Sequence, residues 1–191
     1  MPSPAPAPLQ QAVASGHISA GHLPHLQSLA VQVQHNLQHQ HAWSDLHVHT
    51  HSPRTHARLP RPLVSGLPAQ RLYLHPDEQA ALLRDADRKR RATTAAGAAG
   101  RLHVEAPPER EWILPTRLNE KWTLRRLAAV FDAIPPVPPA PATAAAAATA
   151  DSARPDSPWR ATKRVLLGTV DSDSTVVYYI VHDGAVKPRQ N

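Results

Sequence analysis

Apolar residues recur at three- and four-residue spacing through Leu26, Leu29, Val33 and Leu37, with Gln and His between them. That period predicts an amphipathic helix from about Ser28. The period then changes: Leu46-His47-Val48-His49-Thr50 alternates as a short strand does. Pro53, Pro60, Pro62 and Pro68 predict a loop after it, followed by a short strand at Arg71–Leu74. His75-Pro76-Asp77-Glu78 opens a second helix, because an early proline has no helical N–H to lose and first-turn acids favour the dipole. That helix carries Leu82, Leu83 and Ala86 and closes on Arg88-Lys89-Arg90-Arg91. Glu111-Trp112-Ile113-Leu114-Pro115 reads as a strand stopped by proline. Thr123 then caps a third helix, with Leu124, Leu127, Ala128, Phe131 and Ile134 on one face and Arg125 and Arg126 on the other, ended by Pro135-Pro136.

The C-terminal pattern differs from all of these. Lys163–Val170 and Thr175–Val181 predict two strands joined by the acidic turn Asp171-Ser172-Asp173-Ser174, and Asp183-Gly184 supplies a second turn. Thr175 to Val181 contains no Gly or Pro and is almost entirely β-branched or aromatic. A surface hairpin would alternate apolar and polar residues, so this composition predicts a strand covered on both faces. The cover is either the core of its own domain or another protein. The expected class is α/β in the mixed α+β sense, a mixed twisted sheet with flanking helices, completed at the C-terminus.

Three stretches lack the apolar content to offset chain entropy. They are a Pro/Ala/His-rich tail over residues 1–27, a small-residue insertion at 92–108, and a Pro/Ala-rich insertion at 135–158. Without them about 125 residues remain, enough for one ordinary core, so residues 28–191 are expected to form one domain carrying both insertions. The absence of cysteine excludes disulfides and thiolate chemistry. No run approaches the ~20 apolar residues of a membrane span, and the opening Met-Pro-Ser-Pro-Ala-Pro does not read as a secretory signal. A formal charge of +6 makes RNA, DNA or an acidic protein surface plausible neighbours, and equally suits a chain that is merely kept soluble.

Thirteen histidines are the most conspicuous candidates for chemistry. His47, His49 and His51 share one strand face about 7 Å apart, a spacing a metal can bridge. No cysteine and few acids accompany them, so no cofactor is expected. A metal-free ribonuclease needs a base, an acid and a cation, and Tyr178 or Tyr179, His182 and Lys187 are the right types. Their spacing is wrong: Tyr178 and His182 stand about 13 Å apart on one extended strand, too far to serve one phosphodiester. Lys187, past a turn, can approach His182 without bringing the tyrosine nearer. The residual enzyme alternative is a free-standing ribonuclease using His182 and Lys187. Arg88–Arg91 reads as an import signal, a nucleic-acid patch, or cations complementing a helix end.

Several blocks in order carry a family resemblance: His35–His41, Arg61–Pro68, Tyr73–Gln79, Glu111–Pro115 and Val177–Gly184. From about residue 28 onward the chain resembles the smallest subunit of the eukaryotic tRNA-splicing endonuclease, Sen-fifteen, in its fungal form. The resemblance implies a nuclease-like mixed fold and a non-catalytic, structural role in a nuclear heterotetramer that excises introns from precursor tRNA. Two of the partners would carry the metal-independent Tyr/His/Lys active site. It implies pairing with a catalytic subunit through the C-terminal strands, here Val177, Tyr178, Tyr179, Ile180, Val181 and His182; whether the chain alone forms a homodimer is left open by the sequence. It further implies that an acidic loop, here Asp171 and Asp173, docks on a neighbouring dimer. Precursor tRNA would be met through the complex, and no residue of this chain would be catalytic.

Overall fold

Pro24 opens the first helix, α1 (Pro24–Gln40), at a position where its missing N–H costs no helical bond. The helix starts before Ser28, and His22 just ahead of it is held in place. His22 is buried and its Nε2 lies 3.3 Å from the Thr50 carbonyl oxygen. The computed structural model of the chain describes residues 7–8, 10–11, 21–95, 104, 106–139, 158–160 and 162–185. Most of the predicted tail, most of both insertions, and Lys187 lie outside the described residues.

After α1 come β1 (Ser44–His51), β2 (Arg58–Leu67), α2 (Pro76–Ala95), β3 (Glu111–Arg117), α3 (Leu124–Ala133), a 3-10 turn (Pro158–Arg160), β4 (Arg164–Val170) and β5 (Val176–His182). The fold therefore has the expected mixed α/β class. The strands form one sheet in the order β1-β2-β3-β4-β5, antiparallel throughout except for the parallel pair β3–β4. Parallel neighbours cannot be joined by a tight turn, so the chain must cross the sheet between them. The connection that makes this crossing contains α3.

Four local expectations are corrected. Pro60 and Pro62 belong to β2, in the half where its register against β1 is irregular and β3 does not pair with it. Prolines are tolerated there because few ladder bonds are demanded of them. Pro115 lies inside β3 and does not end it. Pairing with β2 stops at Ile113, while pairing with β4 continues through Arg117. A strand paired on one side has alternate positions free of ladder bonds, so one missing N–H is accommodated. Arg71–Leu74 is not a strand; Arg71 is held instead by ion pairs to Glu78 and Glu109. The buried face of α3 is Leu127, Val130, Phe131 and Ile134, with Leu124 and Ala128 exposed.

Both sheet faces are covered around β3. On one side Leu29, Ala30, Val33 and Leu37 of α1 pack with Trp43, Val64, Ile113, Leu166 and Val170. On the other, Val130, Phe131 and Ile134 of α3 pack with Leu59, Leu63, Trp112, Leu114 and Val165. The pleat explains the division: Trp112 and Leu114 face α3 while Ile113 between them faces α1. Full burial of a side chain of this size contributes about 1.5–3 kcal/mol. The ends of α3 are fastened as well. Thr123 Oγ1 accepts from the Arg126 N–H at 3.3 Å, Lys163 Nζ donates to the Phe131 carbonyl at 2.7 Å, and Trp112 Nε1 donates to the Pro135 carbonyl at 3.0 Å.

A buried ion-pair cluster ties β3 to β4. Glu111 receives Arg164 and Arg160, with Arg160 Nη2 at 3.1 Å. Glu109 joins Arg160 at 2.9 Å, Arg164 at 2.9 Å and Arg71 at 2.8 Å. Removing one member of such a group leaves buried charge uncompensated, at a cost of about 3–5 kcal/mol. Glu111→Gln is accordingly expected to lower unfolding stability by about that amount in urea titration.

His49 is turned into the same fold. Its Nε2 is 2.8 Å from Ser65 Oγ, and its ring meets Trp112 edge-on at 4.9 Å. Burial, assisted by the nearby His47 and Arg110, lowers its pKa to about 4. An unfolded histidine titrates near ~6.5, so between these values the unfolded chain binds the extra proton. The contribution to stability is thus complete above about pH 6.5 and is lost as pH falls toward 4. Chemical denaturation across this window is expected to show falling stability, and His49→Gln to flatten the fall.

Candidate partner interface

The sheet has two edges, β1 and β5, and they are built differently. On β1, Arg110 Nη2 donates to the Asp45 carbonyl at 2.7 Å, the Gln34 amide donates to the Leu46 carbonyl at 3.4 Å, and His22 sits against Thr50. The β1 ladder is also interrupted by register shifts, and Asp45 has a positive φ of 49°. Such devices blunt a sheet edge against further pairing. The β5 edge has none of them. Its register runs without a shift from Val176↔Val170 to His182↔Arg164. Among the described residues no side chain hydrogen-bonds to the β5 backbone.

Only part of β5 is covered by its own domain. Val176 and Tyr178 pack toward the α1 core, and Val181 toward the α3 core. The Tyr178 hydroxyl donates to Asn36 Oδ1 at 2.7 Å, and His41 meets its ring edge-on. On the α3 side, Val177 and Tyr179 are 45% and 57% exposed; Ile180 is exposed on the opposite side. The expected two-sided cover is therefore incomplete among the described residues. Sequence patterning also missed exposed apolar residues elsewhere. Leu124, at the start of α3, is 87% exposed, and Leu118 is exposed where its N–H bonds the Val170 carbonyl at 2.9 Å. The sequence held a signal: a helix face of Leu127, Val130, Phe131 and Ile134 satisfies the same spacing and leaves Leu124 outside it.

Asp171 and Asp173 lie exposed in the β4–β5 turn. Asp171 Oδ1 accepts from the Ser172 N–H at 2.6 Å, and Asp173 Oδ1 accepts from the Thr175 N–H at 2.8 Å. That backbone bond is the main reason the Asp173 carboxyl is held below its usual range. The turn is closed by the Asp171 N–H on the Thr175 carbonyl at 2.9 Å, with Ser174 at φ 71°. The turn is thus a fixed acidic tip. From it to His182 the site residues are strung over about 25–35 Å of extended chain. They form a strip and do not converge on a point.

The ribonuclease candidates are not gathered either. Tyr178 is bound to Asn36, and burial raises its pKa. His182 packs edge-on against Tyr73 at 4.7 Å, and its pKa is lowered by burial, then by Arg164 and His75. Ile180 separates the two along the strand. His182 Nδ1 is buried without a hydrogen-bond partner among the described residues. In the histidine-rich strand, His49 is occupied by Ser65. No three His, Cys, Asp or Glu side chains come together as a metal site among the described residues.

The family described as Sen15 protein matches residues 32–191. A Neurospora crassa protein named "Probable tRNA-splicing endonuclease subunit tsp-1" is 44% identical over 175 residues, spanning 87% of this chain and 67% of that protein. A Schizosaccharomyces pombe protein named "Probable tRNA-splicing endonuclease subunit sen15" is 31% identical over 81 residues, 42% of this chain and 50% of that one.

The exposed and the covered residues of β5 are expected to respond differently to a charge. Tyr179→Asp should cost the isolated fold about 1 kcal/mol or less, since only strand propensity is lost. Val181→Asp buries an unpaired carboxylate against the α3 core and should cost more than about 2 kcal/mol. Urea midpoints of the two variants check the difference.

Proposed function

Because this chain belongs to the Sen15 family, we propose that it is a non-catalytic structural subunit of a nuclear tRNA-splicing endonuclease. The observation that carries the structural role is the β5 edge: regular, apolar and open, on a sheet whose other edge is blunted. A partner strand added there would gain main-chain hydrogen bonds, while Val177, Tyr179 and Ile180 would be shielded from water. The names of the related proteins support the identity of the assembly. A catalytic subunit of a heterotetramer is the partner of β5 in this reading, and a second copy of the chain takes its place when the subunit is alone. The exposed carboxylates Asp171 and Asp173 then meet a basic surface on the neighbouring pair, and precursor tRNA is bound by the assembly. Dispersal of Tyr178 and His182 along β5 favours a subunit without its own cleavage chemistry.

Tyr179→Asp should abolish co-purification with the endonuclease subunits from the source cell while the variant itself stays folded. Undiminished co-purification would remove β5 from the interface. Reversing both Asp171 and Asp173 to Lys should retain a two-subunit complex and lose the larger one in size-exclusion chromatography. Loss of the two-subunit complex as well would show that the turn belongs to the same contact as β5.

A further inference from the structure

Helix α2 is anchored at its beginning, and its side chains from Arg88 to Ala92 are exposed. Glu78 in the first turn pairs with Arg71 at 2.9 Å, and Arg71 in turn meets Glu109. Among the described α2 side chains, Glu78 and Ala86 are the buried ones. The helix has 20 residues, about 30 Å of length, so its C-terminal turns carry side chains that the sheet does not cover. The turns from Arg84 to Arg91 are strongly basic, while the last turn, Ala92–Ala95, holds no basic residue. From Arg84 to Arg91 five cations stand against Asp85 and Asp87, a net charge of +3.

The helical geometry sorts these cations. Arg84, Arg88 and Arg91 follow i, i+4, i+7 spacing, which places them within about 60° of arc and over about 10 Å of axis. All three are exposed, and the side chains of Arg88 and Arg91 are 79% and 77% exposed. Arg88 pairs with Asp85, and Arg91 Nε lies 2.7 Å from Asp87 Oδ2. Exposed pairs of this kind are worth about 0–1 kcal/mol, so a phosphate can replace either carboxylate at little cost. Guanidinium groups match phosphate oxygens two at a time. A nucleic-acid strand carries a charge every ~3.4 Å of duplex axis, so a stripe of about 10 Å lies alongside about three phosphates.

We propose that the Arg84–Arg88–Arg91 stripe of α2 is an RNA-backbone contact, placed on an element separate from the β5 interface. The proposal takes its ligand class from the assembly proposed above. An import receptor reading Arg88–Arg91 as four consecutive side chains fits the structure less well. In a helix those residues point in directions about 100° apart, and Arg90 is also tied to Asp87.

The test uses the complex purified from its source cell, carrying either the native chain or one with Arg84→Gln, Arg88→Gln and Arg91→Gln together. Binding to an intron-containing precursor tRNA is measured across salt concentrations, and the full chain alone is measured against the same RNA. Co-purification and thermal midpoint are expected to be unchanged. The slope of log affinity against log salt should fall in magnitude by about two, at ~0.7–0.9 for each phosphate no longer neutralised. An unchanged slope in an intact complex overturns the RNA contact. If nuclear accumulation disappears as well, the stripe is an import signal. Loss of co-purification by the triple variant alone would reassign it to a protein contact and also overturn the proposal. Failure of the native chain to co-purify would sink the assembly reading separately, and a salt slope reduced in the isolated variant would still support the RNA contact.

Discussion

The ion-pair cluster around Glu111 is the interaction on which the other features depend. Glu111 begins β3, and Arg164 begins β4, the strand parallel to it. These strands are distant in sequence and joined by a crossover, so no turn sets their register. Charge pairing through Glu109 and Glu111 to Arg160 and Arg164 locates β4 against β3. β5 follows β4 through a short turn and inherits its position. Arg71 extends the cluster to the first turn of α2 through Glu78. One buried polar group thereby supports both the open edge and the basic helix. Its worth lies in specificity as much as in stability, since buried ion pairs gain little net energy over well-packed apolar groups.

The two sheet edges give the molecule a direction. β1 has three of its carbonyls engaged by Arg110, Gln34 and His22, side chains from three different segments. Three separate contacts on one edge, combined with bulges, make that edge a poor template. β5 keeps a regular ladder and an apolar composition up to its free side. An edge of that kind is an aggregation hazard unless another strand covers it. The contrast matters more than either edge by itself, because a fold able to blunt one edge has left the other open.

Legibility in the sequence followed the range of the interactions. α1, the start of α2, and β4 and β5 were readable from local period, and each formed within a few residues of its expected bounds. The prolines misled. Pro60, Pro62 and Pro115 read as breakers because local chemistry says that a missing N–H ends a ladder. Whether that N–H is wanted depends on which neighbour pairs at that position. The face of α3 was misread at Leu124 and Ala128, because a face through Val130 satisfies the same three- and four-residue spacing and only the sheet beneath selects between the two. For the interface, the composition of β5 was visible at once. The exposure of Leu118 and Leu124 was not, since exposure is a property of what lies across from a residue.

By itself the sequence determined the class of fold, the family, and an apolar C-terminal strand that requires cover. These rest on spacing, turn chemistry and blocks of residues, all local quantities. Only the tertiary structure decided that this strand ends the sheet, that its cover is incomplete among the described residues, and that Tyr178 and His182 are engaged by Asn36 and Tyr73. Those outcomes depend on strand order and on ion pairs such as Glu111–Arg164, which join residues 53 positions apart. Pairing over that distance leaves no periodic trace in the chain.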